Sequence, residues 1–314
     1  MANKNGQYEV VGELRIATWG FLIGLGLPLP YIVIASTLPT LIGIVLIAAL
    51  GILKISNLIY RVRSGGLILV AATFLGLVFS FGLYLVVYGT NLRYLGFYLM
   101  SLSFFHWSEY ATTALFNAEK LSMDSFLLNH SKEYGIAAVS SWIEYFIELY
   151  FFPQLKSLHW LSCIGIIMAV CGEFIRKRSM FVAASNFSHV VATKKASSHE
   201  LVTHDVYSLC RHPSYFGWFW WSVGTQVILC NPICCIGYAF ASWNFFNGRI
   251  QDEEAYLLQF FGQEYLDYMS KVGVGIPFIH GLSIKIKVYI NIIIYLTLCT
   301  FTALEIMGQL LISR

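Results

Sequence analysis

The side chains able to do chemistry are concentrated in two short stretches of an otherwise apolar chain. The first stretch precedes an apolar run and contains His199, Tyr207, Arg211 and His212. The second follows the next apolar run and contains Arg249, Glu253 and Glu254. An arginine guanidinium can hold a carboxylate bidentately, and carboxylates accept hydrogen bonds from amino groups and hydroxyls. The two stretches therefore gather polar and titratable groups at the ends of apolar runs, where they form a candidate functional site.

The elements that position these stretches can be predicted from the run between them. Residues 213–248 carry no charge, and Asn231-Pro232 divides them into a hairpin of two membrane spans. Pro213 suits the first turn of a helix, and Gly217 leaves that helix a flat spot for close approach by another group. Because the two spans form a hairpin, the chain before the first and the chain after the second converge.

The composition predicts a membrane protein. Of 314 residues, 57% are hydrophobic and only 12% are charged, whereas soluble domains carry about 25% charged residues. The apolar content excludes disorder. With 20 basic and 17 acidic residues the net charge is +3, which is too weak to indicate a nucleic-acid partner.

Apolar runs predict an all-α polytopic membrane protein with about eight transmembrane helices. Two spans fit within 16–53, with a turn at Ser36–Pro39. Single spans are predicted at 64–92, 94–117, 135–152 and 158–175, and the hairpin supplies the last two. The chain then divides into two N-terminal helices (1–60), a transmembrane core (61–186), a region that contains both chemically active stretches (187–280) and an apolar tail (281–314).

Loop charges predict the orientation. Basic residues cluster after spans two, four and six, as in Arg176-Lys177-Arg178, whereas the opposite loops offer only Arg93 and Lys156. The positive-inside rule then places the N-terminus and the region after span eight in the cytosol. Residues 288–304 fit a short ninth span, an interfacial segment or part of a variant C-terminus.

Ionisable side chains within spans are costly, so each is a candidate site. His106 and Glu109 share one helix face, and Glu144 and Glu148 share another. These pairs fit either a carboxylate–histidine metal site or structural partners on neighbouring helices, and the structural reading is favoured. Glu173 and Arg176 are predicted to pair with each other.

Two further groups of residues are predicted to be structural. The seven cysteines have neither Cys-x-x-Cys nor zinc spacing, so they are expected to be lipid- or core-facing thiols. Four apolar or aromatic residues at helical spacing are predicted to form one packing face. They are Leu257, Phe261, Tyr265 and Tyr268.

An ordered set of motifs resembles the isoprenylcysteine carboxyl methyltransferase family. It runs from about residue 186 to 278 and comprises His199-x-Leu201-Val202, Tyr207, Arg211-His212-Pro213-Ser214-Tyr215 with Gly217, Arg249-Ile250-x-x-Glu253-Glu254, Phe261-Gly262-x-x-Tyr265 and Gly275-Ile276-Pro277-Phe278. The Arg-His-Pro-x-Tyr element alone also occurs in phospholipid methyltransferases and certain sterol reductases. Those activities, and a non-enzymatic transporter or scaffold, are the alternatives.

The resemblance implies methyl transfer from S-adenosylmethionine, leaving S-adenosylhomocysteine, to the C-terminal carboxylate of a prenylated cysteine. Arg249 is the first choice to contact the acceptor and Arg176 the second, and no metal is expected. The cofactor-binding positions implied are His199, Glu200, Leu201, Val202, Tyr207, His212, Pro213, Ser214, Tyr215 and Glu253, with Glu254 as a second acidic candidate.

The resemblance also implies partners and a location. The substrates would be CaaX-processed, prenylated proteins such as small GTPases. The location would be the endoplasmic reticulum membrane, with the active site facing the cytosol.

Overall fold

The computed structural model describes residues 4–28, 65–89, 92–128 and 132–282. Within those ranges the regular secondary structure is entirely helical. The α-helices there are α1 (Lys4–Gly26), α2 (Gly65–Tyr88), α3 (Arg93–Phe116), α4 (Lys132–Phe151), α5 (His159–Ala183), α6 (Pro213–Leu229), α7 (Pro232–Phe261) and α8 (Gln263–Lys271).

Helices occupy each predicted span that falls on described residues. The predicted hairpin is confirmed as α6 and α7, and Pro213 and Pro232 lie in the first turns of these helices. The helix α7 continues without a break past Gly248, the predicted end of the span, to Phe261. This extension places Arg249 and Glu253 on a rigid helix beyond the apolar run.

The number of spans stays a prediction. Among the described residues, two helical segments, Gly65–Tyr88 and His159–Asn186, are long and apolar enough by length and composition to cross a membrane. The predicted second span and the segment 288–304 lie outside the described residues.

Glycines allow the closest helix contacts. A Cβ at Gly217 would lie 2.5 Å from the carbonyl oxygen of Gly172 and 2.7 Å from the backbone nitrogen of Arg176. A Cβ at Gly172 would lie 2.6 Å from the carbonyl oxygen of Gly217. The predicted flat spot at Gly217 is therefore occupied by the backbone of α5, in the small-residue packing that membrane helices use.

The carboxylates of α4 have structural partners. Glu144 accepts hydrogen bonds from the backbone N–H groups of Ile233 and Cys234, at 2.7 and 2.6 Å. These are otherwise unsatisfied donors at the start of α7. Glu148 pairs with the buried ammonium of Lys156 at 2.6 Å, which also donates to Asn231 Oδ1 at 2.9 Å. The contacts of Glu144 and Glu148 together hold α4 against the turn between α6 and α7.

The predicted Glu173–Arg176 pair is wrong. The guanidinium of Arg176 instead reaches Glu109 on α3, with Nε–Oε1 and Nη2–Oε2 distances of 2.5 and 2.8 Å. Glu173 accepts from Ser108 Oγ at 2.6 Å and lies 3.4 Å from Lys177. Glu109 is completely buried, and a buried carboxylate needs a cation more than a partly hydrated one does.

His106 also has partners other than Glu109. Its Nδ1 lies 2.8 Å from the carbonyl oxygen of Phe126, and its Nε2 lies 3.0 Å from the hydroxyl of Tyr134. The structural interpretation of these intramembrane groups therefore accounts for their contacts.

The cysteines differ in exposure. Cys210 and Cys230 are buried, whereas Cys163 and Cys171 are exposed on α5. Each of the six described cysteines is a free thiol, and Cys299 lies outside the described residues.

Candidate active site

A polar cavity with about 760 Å³ of empty space lies where the end of α5, the segment 199–215, α7 and α8 meet. Its lining contains ten of the eleven positions that sequence analysis assigned to a cofactor. These are His199, Glu200, Leu201, Val202, Tyr207, His212, Pro213, Ser214, Tyr215 and Glu253. Residues from separate motifs thus form one concave surface.

The lining includes side chains that sequence analysis did not assign to the site. Asn186 and Phe187 contribute from the short segment after α5, and Arg211, which has no cofactor role in the sequence analysis, also lines the cavity. The set predicted as a packing face lines the cavity as well and comprises Leu257, Phe261, Tyr265 and Tyr268. The available signal was the motif Phe261-Gly262-x-x-Tyr265, which the family resemblance included but apolar periodicity alone did not separate from packing.

The segment that carries Tyr207 is fixed from two sides. Asp205 accepts from Arg178 of α5, with Oδ1–Nε and Oδ2–Nη2 distances of 3.0 and 2.5 Å. The hydrogen bond from Arg178 lowers the pKa of Asp205 below its ordinary value. Tyr268 of α8 donates its hydroxyl to the carbonyl oxygen of Tyr207 at 2.5 Å. The backbone of this segment is thereby held against the wall of the cavity.

Glu254 lies behind the lining of the polar cavity. Its Oε1 accepts from Arg211 Nε at 2.8 Å and lies 3.2 Å from His212 Nε2, and its Oε2 accepts from the backbone N–H of Leu282 at 2.7 Å. Burial acts to raise the pKa of Glu254, but the bond and charge of His212 and the charge of Arg211 outweigh burial and lower it. Glu254 is the one cofactor candidate that lies outside the lining of the polar cavity, and its oxygens are bound by other groups of the protein.

Glu253, one position earlier, faces the cavity. It accepts a short hydrogen bond from the hydroxyl of Tyr215, and this hydroxyl accepts from Arg249 Nε at 2.8 Å. Arg249 Nη2 donates to the carbonyl oxygen of His189. The Arg249 guanidinium thus lies one side chain away from the polar cavity.

A second, apolar cavity with about 1260 Å³ of empty space lies between α3, α4, α6 and α7. Its aromatic wall includes Trp218, Trp221, Phe245 and Phe246. The guanidinium carbon of Arg249 lies 5.8 Å from the Phe245 ring centre and 5.5 Å from that of Tyr215. Since Phe245 lines the apolar cavity and Tyr215 the polar one, Arg249 lies between them.

Arg176 occupies a similar position on the other side of α6. Its Nη1 donates to Ser214 Oγ, in the polar cavity, at 2.7 Å. Its guanidinium carbon lies 4.8 Å from the ring centre of Trp218, in the apolar cavity. The opposite edge of Arg176 is bound to Glu109. Two buried or partly buried cations therefore separate a polar cavity from an apolar one.

Comparisons with known proteins agree with this arrangement. Residues 165–259 match the family model described as "Isoprenylcysteine carboxyl methyltransferase (ICMT) family". The mouse protein named protein-S-isoprenylcysteine O-methyltransferase is 48% identical over 275 residues, which cover 87% of this chain and 96% of the mouse protein. The chain belongs to the isoprenylcysteine carboxyl methyltransferase family. The human protein of the same name is 47% identical, with the same coverage of both chains.

The fold is also that of a solved isoprenylcysteine carboxyl methyltransferase. A structure described as the eukaryotic intramembrane Ras methyltransferase is 44% identical and superposes with a TM-score of 0.81, over 86% of this chain and 99% of the other. The likeness confirms the all-helical fold and the intramembrane class predicted from composition. It also confirms the family resemblance inferred from the motifs.

Proposed function

We propose that this chain transfers a methyl group from S-adenosylmethionine to the C-terminal carboxylate of a prenylated cysteine and releases S-adenosylhomocysteine. The observation that carries the proposal is the position of Arg249 between the two cavities. A polar ligand on one side and a lipid on the other would meet at this guanidinium.

The polar cavity suits S-adenosylmethionine. It is concave, and several polar side chains converge on it, as they do in small-molecule sites. Glu200 and Glu253 offer carboxylates for an amino group or ribose hydroxyls, and Tyr207 offers an aromatic face to adenine or a sulfonium. When bound, this donor supplies an electrophilic methyl group on a sulfur that already carries a positive charge.

The apolar cavity suits a prenyl chain. Its walls include Tyr98 and Leu102 of α3, Trp218 of α6 and Phe245 of α7. A lipid chain that occupies it would extend along α7 and present its polar end near Arg249. We propose that the lipid substrate enters sideways from the bilayer, while the soluble donor enters from the cytosol.

The acceptor needs orientation more than it needs a base. A terminal carboxyl group has a pKa of about 3.5 and is already ionised at neutral pH. Arg249 Nε and Nη2 are engaged by Tyr215 and His189. Its Nη1 has no hydrogen-bond partner among the described residues, and we assign this donor to the acceptor carboxylate. Arg176 stays the second candidate and adds positive charge near Ser214.

The surrounding residues would then hold the two reactants close together and exclude water. The aromatic rings of Tyr215 and Phe245 flank the guanidinium of Arg249 and limit access of water. Holding the two reactants in line supplies much of the rate enhancement in such a transfer. No residue is required to abstract a proton.

The product would differ from the substrate by one charge. Methylation neutralises the terminal carboxylate, which strengthens attraction to an anionic leaflet by about 1 kcal/mol per charge near the surface. We propose CaaX-processed proteins such as small GTPases as substrates. We propose the endoplasmic reticulum membrane as the location, with the polar cavity on the cytosolic side, as the loop charges favour.

A methyl-transfer assay tests the proposal. Purified protein in detergent or nanodiscs is given S-adenosylmethionine with a labelled methyl group and one of two acceptors, S-farnesylcysteine peptide with a free carboxylate or the same peptide amidated. We expect label on the carboxylate peptide and none on the amide. Failure to label the carboxylate peptide under conditions where the protein binds the donor would refute the proposal.

An arginine pair provides matched variants. Arg249→Ala should abolish transfer and leave donor affinity nearly intact, because Arg249 is assigned to the acceptor. Arg93→Ala removes an exposed arginine at the start of α3 that lies outside both cavity linings, so it should retain transfer. Unchanged turnover in Arg249→Ala would remove Arg249 from the site.

A further inference from the structure

Glu109 is a buried carboxylate that touches neither cavity yet binds groups that reach both. It lies on α3 with no exposed surface. Arg176 donates to it through two nitrogens, at 2.5 and 2.8 Å, and Lys177 makes a further short contact. His189 Nε2 lies 2.8 Å from Oε2 of Glu109. Three side chains from two parts of the chain thus converge on Glu109.

The contact between Glu109 and His189 connects Glu109 to Arg249 through hydrogen bonds. An ionised carboxylate can only accept hydrogen bonds, so Nε2 of His189 carries the proton in this contact. The carbonyl oxygen of the same residue accepts from Arg249 Nη2. Glu109 therefore fixes the imidazole of His189, and the backbone of His189 in turn fixes one corner of Arg249.

The contact between Glu109 and Arg176 connects Glu109 to residues that line both cavities. With its Nε and Nη2 edge bound to Glu109, Arg176 directs Nη1 to Ser214 Oγ at 2.7 Å. The same guanidinium lies over the ring of Trp218. Ser214 lines the polar cavity and Trp218 the apolar cavity. One carboxylate therefore sets the orientation of both arginines.

We propose that Glu109 is a positioning residue for methyl transfer, which holds Arg249 through His189 and holds Arg176 directly. The inference rests on the proposed function, because it assigns Glu109 to the site that joins the two substrates. A purely structural ion pair would affect the amount and stability of folded protein. A positioning residue must also change the rate per folded molecule.

Two carboxylate variants separate these roles. Glu109→Gln keeps the shape of the side chain but removes its charge and one acceptor. Glu148→Gln does the same to a carboxylate that is also ion-paired within the bundle, at the hairpin turn, outside both cavity linings. The measurements are kcat and KM for S-farnesylcysteine, the Kd for S-adenosylmethionine and the melting temperature.

We expect Glu109→Gln to lose about 100-fold in kcat/KM, since a misplacement of about 1 Å has effects of that size. The Kd for the donor should change by less than about threefold. Glu148→Gln should retain kcat/KM even if its melting temperature falls. An equal loss of kcat/KM in both variants, or a loss below about threefold in Glu109→Gln, would overturn the inference.

A second pair of variants decides the matter if Glu109→Gln does not fold. His189→Ala removes the link to Glu109, whereas His189→Gln restores an N–H donor at a similar reach. We expect kcat/KM to fall in His189→Ala and to recover in part in His189→Gln. Equal activity of His189→Ala and wild type would refute the link. Wild-type protein that transfers no methyl group would instead refute the proposed function.

Discussion

The contact between α5 and α6 allows a quantitative prediction at Gly217. In Gly217→Ala the new methyl group would lie 2.5 Å from the carbonyl oxygen of Gly172 and 2.7 Å from the backbone nitrogen of Arg176. Both neighbours are backbone atoms of a helix, so the helices must separate by about 1 Å to restore ordinary contact. Overpacking of this kind costs about 1–3 kcal/mol, which exceeds the roughly 0.5–1 kcal/mol that alanine gains over glycine within a helix.

The assay is thermal unfolding in nanodiscs together with methyl transfer. We expect Gly217→Ala to melt several degrees below wild type. Its turnover per folded molecule should also fall, because Arg176 lies on the displaced helix. Gly135→Ala on α4 is the matched control, since a Cβ there meets nothing within 4 Å. A melting temperature for Gly217→Ala equal to that of Gly135→Ala would refute the close-packing argument.

Three further predictions concern the site itself. Arg249→Lys should lower kcat/KM by roughly 10- to 100-fold, because one lost charge-assisted hydrogen bond is worth about 1.5–3 kcal/mol. Steady-state kinetics with the farnesylated acceptor measure this change in kcat/KM. Glu253→Gln should weaken donor binding measured by calorimetry, whereas Glu264→Gln, outside both cavity linings, should not. The pKa of Glu254 lies below its ordinary 4.5 in the folded protein, so its stabilising effect is present above about pH 4.5 and is lost as pH falls through the lowered value. Melting curves followed from pH 7 to well below pH 4.5 should show this loss in wild type and a weaker pH dependence in Glu254→Gln.

Much of the fold and site could be predicted because the signals were local. A charge-free run divided by Asn231-Pro232 indicated the hairpin, and the hairpin brought Arg211 and Arg249 towards one end. The ordered motifs indicated the lining of the polar cavity.

What the sequence could not predict depends on tertiary contacts. The spacing of Glu173 and Arg176 shows only that they are neighbours on one helix, whereas the choice of Glu109 as partner depends on how α3 packs against α5. Glu253 and Glu254 are adjacent, yet about 100° apart around a helix. Which of them faces a cavity depends on the rotation of α7, which composition does not fix.

The central claim is that donor and acceptor meet at Arg249, between the polar and the apolar cavity. The most direct measurement is an experimental structure with S-adenosylhomocysteine and an S-farnesylcysteine acceptor bound together. The account predicts the nucleoside product among Tyr207, Tyr215 and Glu253, the prenyl chain against Trp218, and the acceptor carboxylate within hydrogen-bond distance of Arg249. A prenyl chain outside the apolar cavity, or a carboxylate remote from Arg249, would contradict it.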